Sequence, residues 1–196
     1  MLETRYEVAA LAARWVVEDG LDYGSAKQRA LQSLGLHGRS ALPDNALMEE
    51  AVREYIATFC SDSQAAQLLA LRQCALYWMD RLAVYRPYLT GAVWNGTATR
   101  LSDIHLQLFC DDCKSAELTL IDQGVKYSAN SAPGFKGASV PVLSVSFFCK
   151  ELGENIGVHL LIYDHDDLRG AVRASDSVRT VRANAQSLRR LLAGMP

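Results

Sequence analysis

In the run DIHLQLFC, Asp103, His105 and Gln107 alternate with Ile104, Leu106 and Leu108. A strand has a side-chain period of two, so the polar three share one face while the apolar three enter a core. A carboxylate and an imidazole on one strand face can share a cation or pass a proton. A later run, GVHLLIY, places His159 opposite the alternating Val158, Leu160 and Ile162. Upstream of Asp103, Gly96 is followed by Thr97. A glycine lets the backbone approach a phosphate closely, and a following threonine adds a hydroxyl to the N–H donors. Arg100 is close enough in sequence to help neutralise such a group. The stretch from Leu89 to Cys110 is therefore where function is expected to reside.

These residues resemble the DNA polymerase β-like nucleotidyltransferase superfamily. Its signature is a Gly-Ser or Gly-Thr pair, a short spacer, then Asp-x-Asp on the following strand, with a third carboxylate on a later strand. Gly96 and Thr97 match the phosphate-holding pair, and Asp103 matches the first metal-binding carboxylate. His105 stands in the second position, and His159 where the third is expected. The resemblance is confined to the second half of the chain.

The resemblance implies a nucleotide or other phosphorylated ligand, and transfer of a nucleotidyl group to a hydroxyl on a small molecule, a protein or RNA. The superfamily's mechanism uses two Mg²⁺ ions. Mg²⁺ prefers hard oxygen ligands, so Asp103, His105 and His159 form a row better suited to Zn²⁺, Mn²⁺ or Fe²⁺. The expected cofactor is thus a divalent metal, Mg, Mn or Zn, held by these three residues, which would also be the catalytic row. Asp111 and Asp112 are poor replacements, because they lie roughly 25 Å from Asp103 along an extended strand at about 3.3 Å per residue. Two other readings stand beside this one. The domain is a catalytically inactive binding or regulatory module, or a His/Asp metal-binding protein with no nucleotide.

Other features carry less. Cys110 and Cys113 have zinc-knuckle spacing, but no second such pair completes four ligands; as a redox pair they would need the helix N-terminus expected near Lys114. The run Asp164-His165-Asp166-Asp167 reads as a solvated loop and helix cap. From Leu168 onward six arginines (169, 173, 179, 182, 189, 190) face one carboxylate, Asp176, an excess that could attract phosphate. Without interleaved aromatics it reads first as a solvated helix face. There is no GxxxxGK[ST] loop, Rossmann fingerprint, GxSxG elbow or HExxH, which argues against the enzyme classes built on them.

Composition sets the frame for these motifs. With 49% hydrophobic and 21% charged residues, the chain has the balance of a globular protein, and its net charge of -2 exerts no general pull on nucleic acid. Five cysteines at irregular spacing do not suggest a secreted disulfide framework. No apolar run is long enough to span a bilayer, and the N-terminus reads as a helix rather than a signal peptide. A cytoplasmic protein without a membrane partner is expected.

The elements that must position the motifs fall into two regions. Helical periodicity over Leu2 to Val17 stops at Gly20. A second helix is expected over SAKQRALQSL, with Gly35 beyond it. Pro43, Asp44 and Asn45 precede a third over MEEAVREYIATF, and a longer fourth runs from caps at Ser61 to Ser63 until Pro87 ends it. Period two then predicts strands at Leu89 to Trp94, Asp103 to Cys110, Val140 to Phe148 and Gly157 to Tyr163. Helices are expected at about Lys114 to Gln123 and Asn184 to Leu192, and SANSAPGFKGAS reads as a loop. The fold expected is α+β: an N-terminal helical region, residues 1–86, packed on a small nucleotidyltransferase-like mixed β-sheet domain, residues 87–196, with an Arg-bearing C-terminal helix.

Overall fold

The structure is a computed structural model and describes residues 2–36, 41–134, 137–168 and 182–194. It is an α+β protein, with N-terminal helices followed by a six-stranded mixed sheet and interspersed helices. The chain divides into two compact units. One is Met1–Ala66 with Thr99–Leu101; the other is Gln67–Ala98 with Ser102–Pro196. The division falls within the fourth helix.

In the helical unit, α1 (Leu2–Asp19) packs on both α2 (Tyr23–Ser33) and α3 (Asn45–Phe59). Ala9, Ala12, Ala26 and Ala30 are buried between them with Val8 and Met48. Alanine at these positions lets helix backbones approach while costing no side-chain entropy. The boundary signals at Gly20 and Asp44 hold, whereas α2 starts two residues before the expected SAKQRALQSL because Asp22 caps it. Asp44 caps α3 by accepting from the Leu47 N–H at 2.8 Å, Asp22 caps α2 in the same way, and Gly20 leaves α1 with a φ of 69°.

The sheet unit begins within α4 (Ser61–Arg81), which ends well before Pro87; a 3₁₀ turn at Ala83–Tyr85 fills the gap. The strands are β1 (Tyr88–Thr90), β2 (Ile104–Cys110), β3 (Tyr127–Pro133), β4 (Ser139–Cys149), β5 (Glu154–Asp164) and β6 (Arg182–Asn184), in the order β3-β4-β5-β2-β1-β6. Only β2 and β5 run parallel; every other neighbouring pair is antiparallel. Between and after them lie α5 (Gly91–Asn95), α6 (Ser115–Asp122) and α7 (Ala185–Ala193). One face of the sheet, with Leu89, Ile104, Leu106, Leu108, Leu143, Val158 and Leu160, joins Leu71, Trp78 and Met79 of α4 and Leu120 of α6 in a single buried cluster.

Three expectations need correction. Leu89 to Trp94 is not one strand: it leaves β1 at Gly91, whose φ of 72° turns the chain, and then closes the short helix α5. Leu89 and Val93 are both fully buried. Residues four apart share a face in a helix and also obey alternation, so the pattern could not separate the two. The loop SANSAPGFKGAS contains most of β3, an edge strand whose residues are largely exposed and therefore lack an apolar signature. β6 was also not expected, since three residues are too few to show a period. Arg169, Arg173, Asp176 and Arg179 lie outside the described residues. Among the described residues, no helix is long and apolar enough to cross a membrane.

Candidate functional site

The parallel pairing of β2 with β5 sets Ile104 beside Val158 and His105 beside His159. One step earlier β2 has not yet begun, and the Asp103 side chain takes the missing partner's role. Its Oδ1 accepts the Gly157 N–H at 2.9 Å. Its Oδ2 lies 3.0 Å from His159 Nε2. A carboxylate is an acceptor, so Nε2 carries a proton; in the neutral ring Nδ1 is then an acceptor. The Ser144 hydroxyl, 2.8 Å away on β4, donates to it. The His105 and His159 rings face each other with centroids 4.9 Å apart.

Register extends this cluster across the sheet. Ser128, Ser144, His159, His105, Thr90 and Arg182 are successive cross-strand partners and form a polar row over all six strands. Arg182 also donates to Gln107 Oε1 at 2.8 Å. The row lies on the face opposite the main core. His105 is exposed; Thr90, Ser144, His159 and Arg182 are half-buried. At one end of this face, Phe109 stacks on Tyr163, with centroids 5.6 Å apart, in a small apolar cluster with Val140 and Leu161.

Gly157 is what allows the carboxylate to sit there. A Cβ at that position would come within 2.6 Å of Asp103 Cγ and Oδ1, closer than real contacts allow. The electrostatics follow from this packing. The hydrogen bond with His159, aided by the Gly157 N–H, holds the Asp103 carboxyl below its usual range. Loss of water from the part of the His105 ring that packs on the sheet, followed by repulsion from His159, holds that imidazole below the usual histidine value.

The glycine-threonine pair occupies a different environment from the one expected for a phosphate loop. Gly96 is the left-handed residue that ends α5, with a φ of 85°. The Gly96 and Thr97 N–H groups both donate to Ala92 O, at 2.9 and 3.0 Å, and the Thr97 hydroxyl is buried. A helix C-terminus presents carbonyls and partial negative charge. Here the buried Arg72 guanidinium donates to Val93 O at 3.1 Å and Trp94 O at 3.2 Å. As placed, the Gly96 and Thr97 amides are turned to Ala92 O and not to an open phosphate cradle. Arg100 is exposed and belongs with Thr99–Leu101 to the helical unit, whereas Asp103 belongs to the sheet unit.

The donor set also bears on the implied metal. Both nitrogens of His159 are engaged, and one ligand atom each from Asp103, His105 and His159 does not fall within a common 4.8 Å. Imidazoles are poor Mg²⁺ ligands. The residues present therefore do not fit a two-magnesium centre. Ser144, His159 and Asp103 do form a relay of the kind that activates a serine. Acyl transfer also needs N–H donors aimed at a developing oxyanion. Ser144 sits within β4, paired on both sides by β3 and β5, where the ladder uses the backbone donors.

Of the other candidates, Cys110 is buried and Cys113 exposed, and neither joins a metal-ligating group among the described residues. In the acidic run, Asp164 Oδ1 accepts the Asp166 N–H at 2.8 Å, as a local cap does, and His165 bonds to Arg86.

Ser144, Gly157 and Thr90 escaped the sequence reading. A glycine within a strand is a signal of close backbone or side-chain approach, and Ser144 stands out of phase with Leu143 and Val145. Both marks were present in the chain; which strands would be neighbours was not. No family model, curated protein or solved structure matches this chain.

Proposed function

We propose that the sheet unit is a nucleotidyltransferase-like module that binds a nucleotide or another phosphorylated ligand on its polar row, without two-magnesium transfer chemistry. The observation that supports this is the meeting of Asp103, His105 and His159 at the start of a parallel strand pair, the positions where the resembled superfamily gathers its carboxylates. Replacing two carboxylates by imidazoles changes what the row can attract. Three carboxylates need cations before they accept a phosphate; the His105 imidazole and the Arg182 guanidinium of the same row can donate hydrogen bonds to phosphate oxygens directly, while both His159 nitrogens stay with Asp103 and Ser144. Asp103 then serves to fix the His159 ring rather than to hold metal.

Thermal-shift titration of the full chain with ATP, GTP, CTP and UTP, each with and without Mg²⁺, tests this reading. At least one nucleotide is expected to raise the melting temperature without Mg²⁺, and the double variant His105→Ala/Arg182→Ala to lose that response. If none of the four stabilises the protein, nucleotide binding is refuted. A labelled-nucleotide transfer assay addresses the chemistry separately. No Asp103-dependent incorporation is expected; incorporation by the wild type that disappears in Asp103→Ala would restore the transferase reading.

A further inference from the structure

On the core side of the same sheet, Cys74 of α4 and Cys149, the last residue of β4, point their sulfurs at each other across 3.4 Å. Cys74 is 6% exposed and Cys149 fully buried. Glu151 follows in the turn between β4 and β5, and its Oε2 lies 3.6 Å from Cys149 Sγ. One ligand atom from each of the three lies within 4.8 Å of the others. A cavity of about 220 Å³ opens beside them, lined by Cys74 and Glu151 with Gln73, Tyr77, Phe147 and Lys150.

We propose that Cys74, Cys149 and Glu151 bind a single thiophilic divalent cation, of which Zn²⁺ is the best fit, with the adjoining cavity supplying water or another small ligand to the fourth position. Metal–ligand lengths of about 2.3 Å to sulfur and 2.0–2.2 Å to oxygen place tetrahedral neighbours about 3.5–3.8 Å apart. The observed separations of 3.4 and 3.6 Å are close to such an edge length. A disulfide would instead require the sulfurs to close to about 2.05 Å, and would give the carboxylate no part. Charge agrees as well. Two thiolates, one carboxylate and Zn²⁺ leave one net negative charge, and Lys150 lines the same cavity with one positive charge. Binding converts each thiol to a thiolate and releases two protons to solvent, with no change of oxidation state.

The spacing explains why the sequence hid this site. Cys-x-Glu at 149 and 151 is not a recognised ligand pair, and Cys74 lies 75 residues upstream. The more conspicuous Cys110 and Cys113 take no part in it.

Titration of the reduced 196-residue chain with Co²⁺ is the direct test. One equivalent should give a thiolate-to-cobalt charge-transfer band with tetrahedral visible absorption, and stoichiometric Zn²⁺ should bleach both. The bands should persist in Cys110→Ser/Cys113→Ser, disappear in Cys74→Ser and Cys149→Ser, and weaken in Glu151→Gln. X-ray absorption on the zinc-loaded wild type gives a reading independent of whether variants fold: two sulfur and two lighter scatterers are expected. A sphere of four sulfurs or of oxygen and nitrogen alone refutes the site. So does a reduced protein that takes up no cobalt but forms a Cys74–Cys149 disulfide with oxidised glutathione.

Discussion

Neighbouring residues on β5 show two opposite uses of one strand. Leu160 is fully buried in the core cluster, whereas His159, one position earlier, lies on the other face in a chain of hydrogen bonds from Ser144 to Asp103. β4 repeats the contrast, with Ser144 on the polar face and Cys149 in the core. The core face is held by area removed from water and tolerates any arrangement that fills it. The polar face depends on single contacts near 3 Å, each set by the register of adjacent strands. Stability should therefore be concentrated on one face and site geometry on the other.

The largest effect expected is on the core face. Leu160→Ala should cost about 2–5 kcal/mol in denaturant unfolding, and His159→Ala less, about 1–2 kcal/mol, for two partly exposed hydrogen bonds. A histidine variant as damaging as the leucine variant would break the contrast. Next is Gly157→Ala, where the added methyl must expel the Asp103 carboxylate. Overpacking of this kind costs about 1–3 kcal/mol. Imidazole nitrogen NMR should then show His159 losing its single tautomer; an unchanged spectrum would mean that Gly157 does not set the pair.

The smallest effect is on pH dependence. The His105 pKa lies below its ordinary 6.5, so the unfolded chain takes up that proton more readily than the folded one. Its contribution is complete above about pH 6.5 and is lost as the pH falls through the lowered folded value. Asp103 acts with the same sign at lower pH: its contribution is present above 3.8 and is lost as the pH falls through its own depressed value. Replacing His105 with Gln should flatten the stability profile between pH 7 and 5 and leave the more acidic limb in place. Equal slopes for variant and wild type would remove His105 from that role.

Local chemistry accounts for what could be read without a structure. Helix ends at Asp44 and Asn184 each follow from a side chain that accepts an N–H three residues on, and Gly20 and Gly124 take left-handed conformations that other residues avoid. β2, β4 and β5 were legible because one face of each is apolar. The Gly91 turn was not, since a five-residue helix and a short strand place Leu89 and Val93 alike.

Within the stretch Leu89 to Cys110, the sequence by itself determined that Asp103 and His105 leave the core side of a strand, because alternation is a property of the backbone. It also marked His159 as the odd residue in an apolar run. Only the tertiary structure decided that these belong together with Ser144 and Gly157, and that Gly96 and Thr97 follow a short helix instead of a strand. Cys74 and Cys149 meet for the same reason. Strand order and register are fixed by how the whole apolar face packs, and that information is spread over residues far apart in the chain.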